Sequence, residues 1–363
     1  MSFKRGKRYL LLMPEYVMGG AETQFRYLIH YAEKVDWKLD VIIEHRYKQE
    51  DSLLKQDMIR MRQVRFYEMK GTNNSDERVQ QFVVGHILRN ILHIKYEACL
   101  IQYAPDIVLT PALRFLGIDV VYSERVDAVD VLKTQQREKC LRYCNKILAN
   151  SVYAQRKLQK LTGRKVGLIR NGKPVVERLP MKKSRKISRI LVPGRIVPHK
   201  NQLLLLRYLQ DYPSFEGKIV FAGLVEDRAY QKKLLGFVNK NHLQDRVEFL
   251  GYVEDMCIEY EKADLVILPS LAEGTPNVVL EAYAYGRPVI VSDIETERDV
   301  VRNPELRFSV NKVDAIDVGI KYIQSLTDDE YARLLENNRD YVLRNYNINK
   351  MVTKFHKIMT ERR

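Results

Sequence analysis

The chain has 363 residues, enough for two cores at roughly 150 residues per domain. With 45% hydrophobic and 29% charged residues it has the composition of globular domains, which excludes a fibrous repeat or a disordered tail. Its 61 Lys and Arg outweigh 46 Asp and Glu for a formal charge of +15, and the excess is local: Met1–Gly172 holds 30 basic against 19 acidic residues, Lys173–Arg189 holds 7 against 1, and Ile190–Arg363 holds 24 against 26.

The basic start Met1–Arg8 runs into a strand at Tyr9–Met13 without a small-residue cleavage site. No later stretch reaches the roughly 18 apolar residues of a membrane span, so neither a secreted nor a spanning chain is expected. A helix over Ala21–Val35 and a strand at Leu39–Glu44 follow. Leu53–Phe66 mixes Leu53, Leu54, Met58, Ile59 and Met61 with Lys55, Arg60, Arg62 and Arg65. It reads equally as an interfacial amphipathic helix or as a surface helix running into a strand. Helical spacing over Asp76–Gln102, strands at Asp106–Thr110 and Asp119–Ser123, a helix over Val131–Cys144, a strand at Lys146–Asn150 and a helix over Ser151–Thr162 complete a doubly wound α/β domain. His86 and His93 fall on one helical face of that pattern, but two histidines without a third ligand make a poor metal site. Cys99, Cys140, Cys144 and Cys257 show no CxxC or metal spacing, so reduced thiols in a cytosolic compartment are expected, with Cys140 and Cys144 as small buried apolar residues.

The pattern pauses at Asn171–Ser188, an exposed connection holding Lys182, Lys183, Arg185 and Lys186. It resumes with strands at Arg189–Val192, Lys218–Ala222, Val247–Leu250, Leu265–Leu268 and Pro288–Ser292. Helices near Gln202–Leu209, Ala229–Asn241 and Val278–Tyr285 lie between them, and Asp328–Arg363 is helical with no strand to pair with. A second Rossmann-like domain is expected, facing the first across a cleft.

Two segments carry chemistry. Glu273-Gly274-Thr275-Pro276-Asn277-Val278, with Glu281 further on, places a tight loop and a helix start behind a buried strand, so that free N–H groups and a helix dipole form an anion site. Two carboxylates there suit sugar or ribose hydroxyls, facing one pocket from two heights; the plainer reading is a helix with a solvated Glu at each end. Gly194-Arg195-Ile196-Val197-Pro198-His199-Lys200-Asn201 also follows a strand, and a Gly lets a ligand approach while Arg195 and Lys200 supply cations for a leaving diphosphate. The plainer reading is a pair of solvated surface charges. His199 is expected to face solvent.

Together with Gly19-Gly20-Ala21-Glu22, Asn150-Ser151, Asn171-Gly172, Phe221-Ala222-Gly223, Phe249-Leu250-Gly251 and Gly286–Asp293, these motifs resemble, in order along nearly the whole chain, the retaining glycosyltransferases of family 4, polysaccharide- and glycolipid-assembly type. The resemblance implies a GT-B fold: an acceptor domain over 1–172, a linker over 173–188, a nucleotide-sugar donor domain over 189–340, and a terminal helix, 341–363, packing back on the first domain. It implies that Arg195 and Lys200 hold the donor diphosphate with N–H groups of Thr275–Val278, that Glu273 binds hydroxyls of the transferred sugar, that Glu281 binds the ribose, and that Gly19 and Gly20 approach the phosphates. Front-face attack would give retention without a protein nucleophile. With no Asp-x-Asp in the chain, transfer without a metal is expected, from a UDP-linked sugar to a glycan or lipid-linked acceptor. A GT-B sugar-nucleotide epimerase and a non-catalytic basic membrane- or nucleic-acid-binding protein are the alternatives.

Asp106–Asp130 lacks the His that many relatives carry. Ser123-Glu124-Arg125-Val126-Asp127 resembles the Ser-Glu-Arg-Asn-Asp version of polysaccharide-assembly members with Val126 for Asn, so Glu124, Arg125 and Asp127 are acceptor-side candidates, or Arg125 and Asp127 form a loop-stabilising ion pair. A charge excess on the acceptor half suits a cytoplasmic enzyme held at the anionic inner face of the plasma membrane through Met1–Arg8 and Leu53–Phe66. Nucleic acid is not an expected partner, since helix-turn-helix, zinc-finger and ribonucleoprotein patterns are absent from the sequence and the 22 tyrosines are scattered.

Overall fold

In the computed structural model the described residues are 8–13, 20–35, 37–43, 61, 64–68, 96–101, 109–125, 137–173 and 184–361. The chain divides into two compact units, Met1–Gly172 with Ile348–Arg363, and Lys173–Asn347.

In the first unit β1 (Arg8–Met13), β2 (Leu39–Ile43), β3 (Val64–Glu68), β4 (Tyr96–Ile101), β5 (Asp119–Glu124), β6 (Lys146–Ala149) and β7 (Val166–Leu168) form one sheet in the order β3-β2-β1-β4-β5-β6-β7. Every pairing is parallel, so both faces carry crossovers and are buried. The alternation of β1 shows it: Tyr9 and Leu11 join Phe25, Leu28 and Ile29 of α1 (Gly20–Lys34) on one face, and Leu10 and Leu12 join Leu113 of α2 (Leu109–Phe115) on the other. On that second face α3 (Val152–Thr162) adds Leu158; its N-cap Ser151 accepts a hydrogen bond from the Ala154 N–H, and Gly163 ends it at φ 63°.

The second unit repeats the plan with β8 (Arg189–Pro193), β9 (Lys218–Ala222), β10 (Val247–Gly251), β11 (Leu265–Leu268), β12 (Val289–Ser292) and β13 (Arg307–Phe308) in the order β10-β9-β8-β11-β12-β13, again parallel. This is the Rossmann order 3-2-1-4-5-6. Its helices are α4 (Gln202–Asp211), α5 (Arg228–Lys240), α6 (Met256–Lys262), α7 (Asn277–Ala284), α8 (Glu295–Arg298), α9 (Asp314–Ser325) and α10 (Asp328–Asn345), and one apolar core runs through them.

The terminal helical stretch is two helices. α10 belongs to the second unit, and α11 (Ile348–Thr360) belongs to the first, where Met351, Val352 and Phe355 enter the core beside β1. The unit boundary therefore falls after Asn347. Lys173 pairs with Asn347 by a parallel bridge, so the two ends of the second unit lie side by side. Lys173 and residues 184–188 belong to that unit, with Arg185 donating to Leu326 O.

Several expected elements differ. Tyr96–Ile101, expected as the end of a long helix, is the strand β4, and Leu109 and Thr110, expected in a strand, open α2. β4 is buried at nearly every position, so it lacks alternation and its apolar run satisfies helical spacing equally well. Arg137–Tyr143 is a 3-10 rather than an α-helix. Both Cys140 and Cys144 are buried free thiols. His86, His93 and most of Leu53–Phe66 lie outside the described residues.

Candidate active site

The strand order of the second unit reverses between β8 and β11, and open α/β sheets bind ligands outside the strand ends at that reversal. The loops leaving β8 and β11 there are the two segments singled out in the sequence. Gly194 follows β8 at φ 142°, a conformation an L side chain rarely adopts. Its N–H donates to Ala222 O at 2.8 Å, and the Ile196 N–H donates to Leu224 O at 2.8 Å. Gly223 passes so close beneath that a Cβ on it would stand 2.1 Å from Gly194 O. The loop then tightens into the 3-10 turn Pro198–Lys200, with Asn201 at φ 53°.

This path aims Lys200 at the loop after β11, where its Nζ pairs with Glu273 Oε1. Ser270 Oγ donates to the same oxygen at 2.6 Å, and Ser292 Oγ, at the end of β12, donates to Ser270 O at 2.5 Å. The Leu271 N–H donates to His199 O at 2.8 Å, so the two loops are bonded through backbone as well as through charge. Lys200 and Glu273 are mostly buried, which strengthens their attraction relative to a pair in water. His199 lies at the surface with its imidazole partly desolvated, and that desolvation and then Lys200 lower the imidazole pKa.

Arg195 is different. Its side chain is 56% exposed and pairs with Glu226, an arrangement worth little in water and easily exchanged for a better anion.

The first turn of α7 has no side-chain cap; Pro276 occupies the cap position, and Thr275 Oγ1 is buried without a hydrogen-bond partner. Pro276 has no N–H and the Asn277 N–H donates to Thr275 O at 2.8 Å, so the N–H groups of Gly274, Thr275 and Val278, with the positive end of the helix dipole, lie next to Glu273, an arrangement suited to phosphate. Deeper in α7, Glu281 Oε1 lies 2.5 Å from Lys173 Nζ, and Oε2 accepts from Tyr260 OH at 2.9 Å. The Tyr260 ring stacks on Tyr285 with centroids 5.0 Å apart, and burial followed by Glu281 pushes its phenol pKa well up. Glu273 and Glu281 therefore have separate partner sets.

Sequence reading did not find Ser270, Glu226, Tyr260 or Lys173. Ser270 sits three residues before Glu273 and was open to detection by spacing, whereas Lys173 lies 108 positions from Glu281 and no local pattern links them.

In the first unit, Gly20 opens α1; Gly19 and Asp127 lie outside the described residues. Glu124 and Arg125, expected on the acceptor side, are turned into the fold. Glu124 accepts from Tyr122 OH at 2.6 Å. Arg125 donates to Asn171 Oδ1 at 2.6 Å and Ile169 O at 3.1 Å and lies over the Phe355 ring at 4.8 Å. Burial lowers its pKa to about 9 against the pull of Glu124. Arg125 thus anchors α11. Arg8 pairs with the buried Asp40, which also accepts from Tyr96 OH, so this residue of the basic start belongs to the core. Among the described residues no group of three His, Cys, Asp or Glu converges as metal ligands, and no helix is long and apolar enough to cross a membrane.

Residues 180–341 match the Glycosyl transferases group 1 family. The UDP-Gal:alpha-D-GlcNAc-diphosphoundecaprenol alpha-1,3-galactosyltransferase of Escherichia coli is 30% identical over 171 residues, 44% of this chain and 42% of that protein. The O-antigen chain mannosyltransferase RfbU of Salmonella typhimurium is 30% identical over 150 residues, 41% of this chain and 42% of that protein. Each match thus spans less than half of the curated relative. Fold similarity is broader: Anabaena HepE, solved in complex with UDP and glucose, superposes with a TM-score of 0.79 at 17% identity, covering 98% of this chain and 100% of that one. The chain thus has the GT-B fold, and the family match lies in its second unit.

Proposed function

We propose that the chain is a glycosyltransferase that moves a sugar from a nucleotide sugar, UDP-linked, to a glycan or lipid-linked acceptor in surface polysaccharide or glycolipid assembly. The observation that carries this reading is the Lys200–Glu273 pair, backed by Ser270 and set beside the uncapped start of α7 at the sheet reversal of the unit that matches the Glycosyl transferases group 1 family. A Lys ammonium has three donors; Glu273 engages one direction, and the others serve the donor diphosphate. Arg195 exchanges Glu226 for the same diphosphate, and the N–H groups of Thr275 and Val278 complete the cradle. Glu273 keeps oxygen lone pairs for hydroxyls of the transferred sugar. Glu281, fixed by Lys173 and Tyr260, accepts from the ribose.

The reaction needs no protein nucleophile. The bond from the anomeric carbon to the leaving phosphate oxygen breaks, the acceptor oxygen bonds on the same face, and the acceptor proton passes to the leaving phosphate oxygen. Charge grows on the diphosphate as this happens, and preplaced cations and N–H groups stabilise it more in the transition state than in the ground state. Transfer is then retaining and metal-independent. The activities of the relatives support a lipid-linked or O-antigen acceptor, and the UDP complex of HepE supports the nucleotide.

A thermal-shift screen of nucleotide sugars tests the donor half. At about 100 times Kd a ligand stabilises by about 2.7 kcal/mol, so one UDP-sugar should raise Tm clearly in the wild type and not in Lys200→Ala. The basic first half supports a place at the anionic inner face of the membrane, expected to show as salt-sensitive flotation with anionic liposomes and no duplex DNA binding.

A further inference from the structure

The strands β11 and β12 pair side by side, and at their ends Ser292 Oγ donates to Ser270 O at 2.5 Å; the loop after β11 carries Glu273, and the segment after β12 carries an ionisable group that the reaction above does not use. Glu297 sits in α8, the short helix that follows β12, and its side chain is wholly buried at 0% exposure. Its backbone is fixed: the Glu297 N–H donates to Ile294 O at 3.1 Å, and Glu297 O accepts from the Val300 and Val301 N–H groups at 3.0 and 2.8 Å. Thr296 is buried beside it, whereas Glu295 and Arg298 turn outward, Arg298 donating to Asp293 Oδ1 at 2.7 Å. Neither carboxyl oxygen of Glu297 has a hydrogen-bond partner. The ionisable groups in its field among the described residues are Glu273, Lys200 and Tyr283 of α7.

A buried carboxylate with no donor is among the costliest groups a fold can hold, and it escapes the cost by taking up a proton. Here burial and then Glu273 push the acid well above its ordinary range, with Lys200 opposing. A neutral Glu297 leaves Lys200 and Glu273 as a balanced pair with zero net charge. An ionised Glu297 makes the cluster −1 and gives the single ammonium a second carboxylate. A diphosphate approaching that cluster meets repulsion and competes for the same cation.

We propose that Glu297 is a positioning residue of the donor site, a neutral carboxylic acid that leaves the Lys200 ammonium free to engage the donor diphosphate and whose ionisation withdraws it. This rests on the donor reading given above and deepens it, adding a group that sets the pH range over which the site accepts its donor.

The test uses the full chain with Glu297→Gln, which keeps the shape and neutrality of the protonated acid but cannot ionise, and with UDP as the probe. Difference infrared spectra, wild type minus variant, should contain the C=O band of a protonated carboxyl at pH values above the ordinary range of Glu, a band that gives way to carboxylate as pH rises further. Calorimetric UDP affinity should match between the two proteins where Glu297 is protonated. It should then fall in the wild type alone as pH rises, to a gap of about tenfold. Absence of the protonated band, or parallel affinity profiles in the two proteins, would overturn the inference. A protonated band together with no UDP binding by either protein at any pH would instead overturn the donor reading, and with it the role assigned to Glu297.

Discussion

Gly223→Ala offers the sharpest structural prediction. A Cβ at this position would stand 2.1 Å from Gly194 O, 2.5 Å from Gly194 C and 3.0 Å from Arg195 N. Ordinary contact begins near 3.4 Å, so the oxygen would have to move by 3.4 − 2.1 = 1.3 Å. These are backbone atoms, with no rotamer to absorb the shift. Moving them strains the Gly194 N–H bond to Ala222 O and the Ile196 N–H bond to Leu224 O, each 2.8 Å long. Overpacking costs about 1–3 kcal/mol, and weakening these bonds adds about 1 kcal/mol, for a loss of about 2–4 kcal/mol. The same displacement moves Arg195 and the turn carrying Lys200, so UDP affinity should fall even under conditions where the variant stays folded. Gly236→Ala is the control: this glycine lies in α5 with nothing within 4 Å of a built Cβ, and the change should gain about 0.5–1 kcal/mol. Urea denaturation and calorimetry measure both. A Gly223→Ala protein as stable as the wild type would refute the claim that these two loops are wedged against each other.

Gly172→Ala places a Cβ 2.8 Å from Ile348 Cα and should cost about 1–3 kcal/mol, with hydrogen exchange accelerated first over Ile348–Thr360; unchanged exchange there would contradict the packing of α11. Tyr260→Phe removes the 2.9 Å hydrogen bond to Glu281 while keeping the stack on Tyr285. It should cost about 1.5–3 kcal/mol and weaken UDP binding several-fold by calorimetry, whereas unchanged affinity would separate Glu281 from the nucleotide. Glu297 also has a stability signature. Its folded pKa lies above its ordinary 4.5, so the folded chain keeps a proton that the unfolded chain releases. Its contribution is full below that ordinary value and is lost as pH rises toward the folded pKa. Glu297→Gln should lack that decline in urea titrations across pH, and superimposable curves would show that the carboxyl is already ionised.

What was legible in the sequence followed from local pattern. Gly194, Lys200, Glu273 and the start of α7 each lie just after a buried strand, so spacing alone placed them at strand ends, and the parallel register of β8 and β11 then made them neighbours. β4 was misread because a strand buried on both faces carries no alternation, and β7 and β13, with three and two residues, offered too few for a period to emerge. Tyr260 was missed because α6, with seven residues, is also too short to announce itself. Lys173 and Glu297 were missed for another reason. Their importance comes from what surrounds them after folding, a carboxylate across the unit in one case and the lack of any donor in the other, and neither is encoded in neighbours along the chain. Arg125 shows the converse: it sits within a family-like motif, yet its guanidinium serves the packing of α11.

Nucleotide release is the most direct measurement of donor activation by Lys200 and Glu273. Incubating the wild type with a panel of UDP-sugars in the presence of chelator, without acceptor, should give slow UDP release from one of them. That release should drop by about 10²-fold or more in Lys200→Ala and in Glu273→Ala, as expected where preplaced groups stabilise developing charge. No release from any nucleotide sugar, or release that persists unchanged in both variants, would contradict that activation.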